Sequence, residues 1–267
     1  MSRVRVFVLT ALLVGVCVAV GAGGASGASF GRCIHLPENV GKYGSAGCQE
    51  GQVLHGNYEW YPAFGSYEIT KKEFSLAVTE TVMVYEKEPA VLGLTCTGGE
   101  GEGQFSGNKE LDDIHMTLTG CSAAEGECTS AGKGKGEVEA STLDGLVGVW
   151  KTEREERHNK VGLQLYPASG AGGTFAEMTC GTSTSRVLSG SIIAMVPPDG
   201  PNKMGTEWSL KFMRRGLEQM PEQFEGVEAP PPFKQSLNSL TPVRVSVEAT
   251  VAQQFKEQLE LNTTCTC

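Results

Sequence analysis

"LDDIHMTLTGCSAAEGECTS", Leu111 to Ser130, decides the fold class. Ile114, Met116 and Leu118 alternate with His115, Thr117 and Thr119, so every second side chain is apolar. That period is a strand with one buried face and one wet face. Cys121 and Cys128 follow, separated by small and acidic residues. Such a segment after an extended run reads as a hairpin connection. A bridge closing it would add roughly 2–3 kcal/mol in the chain-entropy model.

The same alternation recurs outward from this point. "FSLAVTETVMVY" places Phe74, Leu76, Val78, Val82 and Val84 on one parity. "TEWSLKFM" gives Trp208, Leu210 and Phe212, and "PVRVSVEATV" gives Val243, Val245, Val247, Ala249 and Val251. Further candidates are 53–60, 91–96, 103–107, 135–142, 146–151, 161–166, 174–180 and 187–196. "AQQFKEQLELN" fits either helix or strand, and strand is preferred because it ends the chain beside cysteines. "TEREERHNK" has no apolar face and reads as a solvated loop or single turn. "GVEAPPPFKQ" reads as a stiff connector. Runs spaced by roughly 8–15 residues, with Gly, Asn, Asp or Pro between them, predict an all-β protein. The expected form is an antiparallel β-sandwich or barrel of about 12–14 short strands, stapled by disulfides. A weak echo, "LTC" before "FSG" and "MTC" before "LSG", suggests a duplicated half-domain.

The chain begins with a targeting pattern. Arg3 and Arg5 precede an uncharged, mostly apolar run from Val6 to Ala22. Ser26 and Ala28 then stand at the −3 and −1 positions of a signal-peptidase site. The sequence thus predicts a leader over 1–28, a disulfide-tied segment over 29–57 and a single β domain over 58–267. Any half-repeat boundary falls near 152–160. No later run is long and apolar enough to span a bilayer, so no membrane anchor is expected after cleavage. The predicted localisation is secreted, in the medium or at the cell envelope.

Cleavage removes Cys17 from nine cysteines and leaves an even number, which in an exported chain reads as a disulfide framework. Three pairings are expected. Cys33–Cys48 ties down a Gly-rich segment, Cys121–Cys128 clasps the hairpin, and Cys96–Cys180 joins two strand ends across a long loop. Cys265 and Cys267 have no assigned role. The full chain carries a net charge of −9, and loss of Arg3 and Arg5 makes it −11. An acidic surface argues against nucleic acid or anionic lipid as partners.

Reactive constellations are scarce. There is no Gly-x-Ser-x-Gly elbow and no HExxH. His115 projects from the wet face of its strand, and His158 follows the charged "EREER". No Cys-x-x-Cys pair occurs, so the sequence predicts neither a metal nor any other cofactor. Adjacent Asp112 and Asp113 point to opposite faces of a regular strand and are expected to form a turn at its start. A glycosidase needs two carboxylates across a cleft, and the sequence selects no pair. "YEWYPAF" supplies the ligand-binding candidates. Tyr58 and Trp60 share one face, and Tyr61 lies opposite, placed to stack on a sugar or anchor a partner. The favoured alternative is that Tyr58 and Trp60 are core and Tyr61 caps a Pro turn. The sequence assigns no partner, and cell-wall or extracellular glycan is the class these rings would suit if Tyr61 is wet.

Several segments together carry a resemblance: "GNYEWYPAF", "VGLQLYPASG", "LSGSIIAM", "GLEQMPEQFEG" and the stretch from Leu94 to Gly148. Within that stretch the most specific residues are Thr119-Gly120-Cys121, Cys128-Thr129-Ser130, Gly136-Glu137 and Leu143-Asp144-Gly145. The chain resembles a family of uncharacterised secreted proteins of high-GC Gram-positive bacteria, from about Cys33 to Leu261. The "TCTC" ending departs from that pattern. The resemblance implies export and the Cys121–Cys128 pair, and it implies no activity. Two functions are therefore expected in order: a non-catalytic extracellular binding or structural module, then a glycan hydrolase with an unassigned carboxylate pair.

Overall fold

A computed structural model describes residues 27–48, 52–87, 90–155, 158–221, 223–225, 227–228, 234–237 and 243–263. Most of the predicted leader, the triple proline at 230–232, Cys265 and Cys267 lie outside the described residues. Described residues are all-β, and their pairings are antiparallel throughout.

The chain starts with β1 (Ser29–His35) and β2 (Tyr58–Pro62). A long hairpin follows, with β3 (Glu73–Val78) and β4 (Thr81–Lys87) outward and β5 (Ala90–Cys96) and β6 (Gly98–Phe105) back. Next come β7 (Glu110–Thr119), β8 (Ser122–Ala123), β9 (Gly126–Thr129), β10 (Val138–Glu139), β11 (Leu143–Lys151) and β12 (Lys160–Pro167). The remainder is β13 (Thr174–Cys180), β14 (Thr184–Ser189), β15 (Ile192–Met195), β16 (Gly205–Arg215), β17 (Glu218–Met220), β18 (Gln223–Phe224), β19 (Val227–Glu228), β20 (Lys234–Leu237) and β21 (Val243–Asn262).

Eight strands close a barrel in the order β3, β6, β7, β11, β12, β15, β16, β21 and back to β3. Eight more segments close a second ring: β4, β5, β8, β9, β13, β14, β20 and the first part of β21. The 20-residue β21 belongs to both. So do three near-continuous runs, because β3 leads into β4, β5 into β6 and β7 into β8 with only short breaks. Val78 opposite Gly99 and Thr81 opposite Cys96 keep one register across the break. The barrel and the ring thus succeed one another along shared strands, and closure leaves neither with a free edge.

Barrel-facing positions follow the predicted parity in β7, β16 and β21. One expectation fails at β4, where Thr81, Met83 and Tyr85 are buried rather than Val82 and Val84. Val78 faces Val251 and Tyr85 faces Val245, which inserts one extra residue between β3 and β4. A one-residue slip exchanges the two faces. The predicted strand 135–142 shrinks to β10, and 187–196 divides into β14 and β15 at Gly190 and Ser191. "AQQFKEQLELN" continues β21 as a strand.

The end of the barrel away from the second ring is plugged by aromatics. Trp208 stacks on Phe30 (5.4 Å, 10°), Phe105 meets Phe30 edge-on (4.9 Å), and Phe255 packs against Trp208 (4.6 Å). Phe30 arrives on β1, which pairs with both β2 and the last residues of β21. Tertiary pairing, with no helix propensity needed, therefore carries the N-terminal segment into the core.

The disulfides correct two expectations. Cys33–Cys48 forms as predicted, but the other bridges are Cys96–Cys121 and Cys128–Cys180. Cys121 and Cys128 do face one another across the β8–β9 hairpin, where the Cys128 N–H donates to the Cys121 carbonyl (2.9 Å). Each is bonded to the cysteine on its other side, on β5 or β13. The two echo motifs, ending at Cys96 and Cys180, thus flank the hairpin and are bridged to it rather than to each other. Closing loops of 25 and 52 residues contributes about 3–4 kcal/mol each in the chain-entropy model.

Candidate functional site

Tyr61 lies opposite Arg32 in the β1–β2 ladder, so the two side chains share a face. Its ring meets that of Tyr67, with centroids 4.4 Å apart and planes tilted by 47°. Tyr61 is partly buried and Tyr67 is 39% exposed. Burial, then the neighbouring Tyr67 and Glu59, raise the Tyr61 phenol above its usual range, so it stays a neutral donor.

The support beneath this pair is ionic. The Arg32 guanidinium donates to the Tyr67 carbonyl (2.8 and 3.1 Å) and the Glu68 carbonyl (2.8 Å). Its Nη1 meets Glu257 of β21 at 2.7 Å. Glu257 also accepts from the Thr70 hydroxyl and from the backbone N–H groups of Thr70 (3.0 Å) and Lys71 (2.8 Å). Burial alone would raise its carboxyl, but these bonds and the Arg32 charge outweigh it and hold the group low. The loop carrying Tyr67 is thereby fixed to β1 and β21, and the rings are preorganised. Tyr67 and Arg32 were not among the sequence candidates. The signal available was Tyr67 six positions beyond Tyr61, across a Pro-containing bend.

Trp60 occupies the other face, as the alternation predicts, and does not join Tyr61. Its ring lies over Gly31, where a Cβ would sit 2.0 Å from Cζ2. Glu260 of β21 pairs with the same glycine and is 2% exposed. Burial pushes its carboxyl up to about 7, with Asn262 and Trp60 offsetting only part of the rise. The indole N–H still has no acceptor at hydrogen-bond geometry.

No family model, curated protein or solved structure matches the chain.

Asp112 and Asp113 lie inside β7, not in a turn before it. Asp113 has a φ of 53° at a bulge between the Glu102–His115 and Gln104–Asp112 pairs. The bulge sets the two carboxyls beside Asp144 of β11, whose pKa is raised by burial, then by Asp112 and Asp113. His115 contacts Asp113 (3.3 Å) and is exposed. His158 lies 3.8 Å from Glu155. Among the described residues, no group of three or more His, Cys, Asp or Glu is placed to hold a metal.

Two small apolar cavities lie along the barrel interior, of about 40 and 20 Å³, and share Met116, Leu165, Phe212 and Val251. In the second ring, Arg186 is fully buried. It donates to the Tyr85 hydroxyl (2.6 Å) and pairs with Glu125 on the β8–β9 turn (2.5 Å).

Proposed function

We propose that the chain is an exported, non-catalytic β module that binds a cell-wall or extracellular glycan through the Tyr61–Tyr67 pair. The carrying observation is the arrangement of these two rings on a scaffold fixed by Arg32 and Glu257. Tyrosine offers an apolar face to a sugar ring and a hydroxyl to its rim, with little side-chain entropy to lose. Export is supported by the leader pattern, by the family resemblance and by three bridges suited to an oxidising compartment. Among the described residues, no helix is long and apolar enough to cross a membrane.

A second reading, glycan hydrolysis, draws on Asp144. A part-buried carboxyl whose pKa is raised by burial and by two neighbouring carboxylates is the pattern of an acid–base pair. One experiment separates the two. The mature protein is exposed to cell-wall and polysaccharide arrays, and soluble products are analysed. Binding without released sugar, lost at least about tenfold (~1.4 kcal/mol) in Tyr61→Ala and Tyr67→Ala, supports the binding module. Released sugar that disappears in Asp144→Asn supports the hydrolase.

A further inference from the structure

Four cysteines stand in one row across four adjacent strands. Leu94 opposite Ala123 and Thr95 opposite Ser122 bring Cys96 to Cys121. Ser122 opposite Glu127 brings Cys121 to Cys128. Cys128 lies opposite Cys180. Directly opposed residues of neighbouring strands project to the same face, and all four cysteines are in the core at 0–1% exposure. The outer two contacts are bonded and the central one is open. The central pair is joined by the Cys128 N–H to Cys121 carbonyl bond. The Cys121 N–H donates instead to the Gly136 carbonyl. Directly opposed residues of an antiparallel ladder stand about 4.5–5.5 Å apart at Cα, a separation that a disulfide spans.

We propose that this row is a thiol–disulfide relay in which two-electron reduction of either outer bridge moves the surviving bridge to Cys121–Cys128. A dithiol reductant attacks Cys180 Sγ and expels the Cys128 thiolate. Its second thiol resolves the mixed disulfide, leaving an oxidised dithiol and a Cys180 thiol. The Cys128 thiolate then attacks Cys121 Sγ. The Cys96–Cys121 bond breaks, and Cys96 leaves with the electron pair and takes up a proton. Attack at the other bridge frees Cys121, which displaces Cys180 from Cys128 and reaches the same product. One dithiol is oxidised, and two thiols, Cys96 and Cys180, are formed.

The hairpin favours that product. Cys121 and Cys128 are seven positions apart on a two-residue turn, whereas Cys96 and Cys180 arrive on strands distant in sequence. When β5 or β13 loosens, the hairpin pair stays at the higher effective concentration. The shift releases both flanks of the hairpin and leaves the hairpin closed. It thus unpins the second ring beside Arg186 and Glu125.

The test is limited reduction of the folded protein with dithiothreitol, acid quench, alkylation and peptide mapping. The expected species with two alkylated thiols among these four carries them on Cys96 and Cys180 and retains a Cys121–Cys128 link. Alkylation of Cys128 with Cys180, or of Cys96 with Cys121, overturns the relay. So does passage to four thiols without the central bridge. In the Cys96→Ala, Cys180→Ala double variant, oxidation by glutathione disulfide should form Cys121–Cys128. Persisting thiols or glutathione adducts there would equally overturn the proposal.

Discussion

Arg186 and Glu125 are coupled unequally. Arg186 is fully buried, whereas a third of the Glu125 side chain is exposed. Removing the carboxylate strands a desolvated cation; removing the cation lets Glu125 turn to water. Glu125→Ala should therefore cost about 3 kcal/mol in urea denaturation. Arg186→Met should cost about 1–2 kcal/mol, chiefly for the Tyr85 hydroxyl left without its donor. Equal losses would contradict the asymmetry. Glu260 supplies a pH test. Its folded-state pKa of about 7 lies above the 4.5 of an ordinary glutamate carboxyl. The folded state then binds the proton more tightly, so stability falls as pH rises from about 4.5 to about 7 and levels off above that. Glu260→Gln should flatten this segment of a stability-against-pH curve. An unchanged slope would show that Glu260 does not titrate as a buried group. The burial of Arg186 was not legible in advance, because a buried charge is recognised by its partners, and these come from segments 61 and 101 positions away.

At the scale of the element, β6 shows how composition serves closure. "GGEGEGQF" alternates Gly99, Gly101 and Gly103 inward with Glu100 and Glu102 outward. A Cβ on Gly103 would stand 2.7 Å from Phe74 Cζ and 2.9 Å from Ile114 Cγ1. The missing side chains make room for the large residues of β3 and β7. Gly103→Ala should destabilise by about 1–3 kcal/mol by overpacking. Glu102→Ala, on the wet face, should stay within about 0.5 kcal/mol. Comparable losses would place the barrel face elsewhere. Period-two alternation foretold β7, β16 and β21 because it reports which face of a strand is buried. It could not report the extra residue between β3 and β4, which reverses the face without altering composition. Nor could it report which strands lie side by side. For that reason the Cys121–Cys128 expectation named true neighbours and still missed their bonds.

The whole molecule depends on strands that run through both closed units. β21 pairs with β4 and β20 early and with β3, β16 and β1 later, so it joins barrel, ring and N-terminal segment. The aromatic plug closes one end of the barrel, and the bridged ring follows the other. The Tyr61–Tyr67 pair sits where β1, β2 and the end of β21 meet. Its face was legible from the alternation; its support was not, because Arg32 and Glu257 are 225 positions apart. This architecture fixes β5, β8, β9 and β13 side by side. Disulfide mapping of the fully oxidised protein tests that order most directly, using glutamyl cleavage at Glu125 or Glu127 to part Cys121 from Cys128. Linked peptides joining Cys96 to Cys121 and Cys128 to Cys180 are predicted. A Cys121–Cys128 or Cys96–Cys180 peptide in the oxidised protein would contradict it.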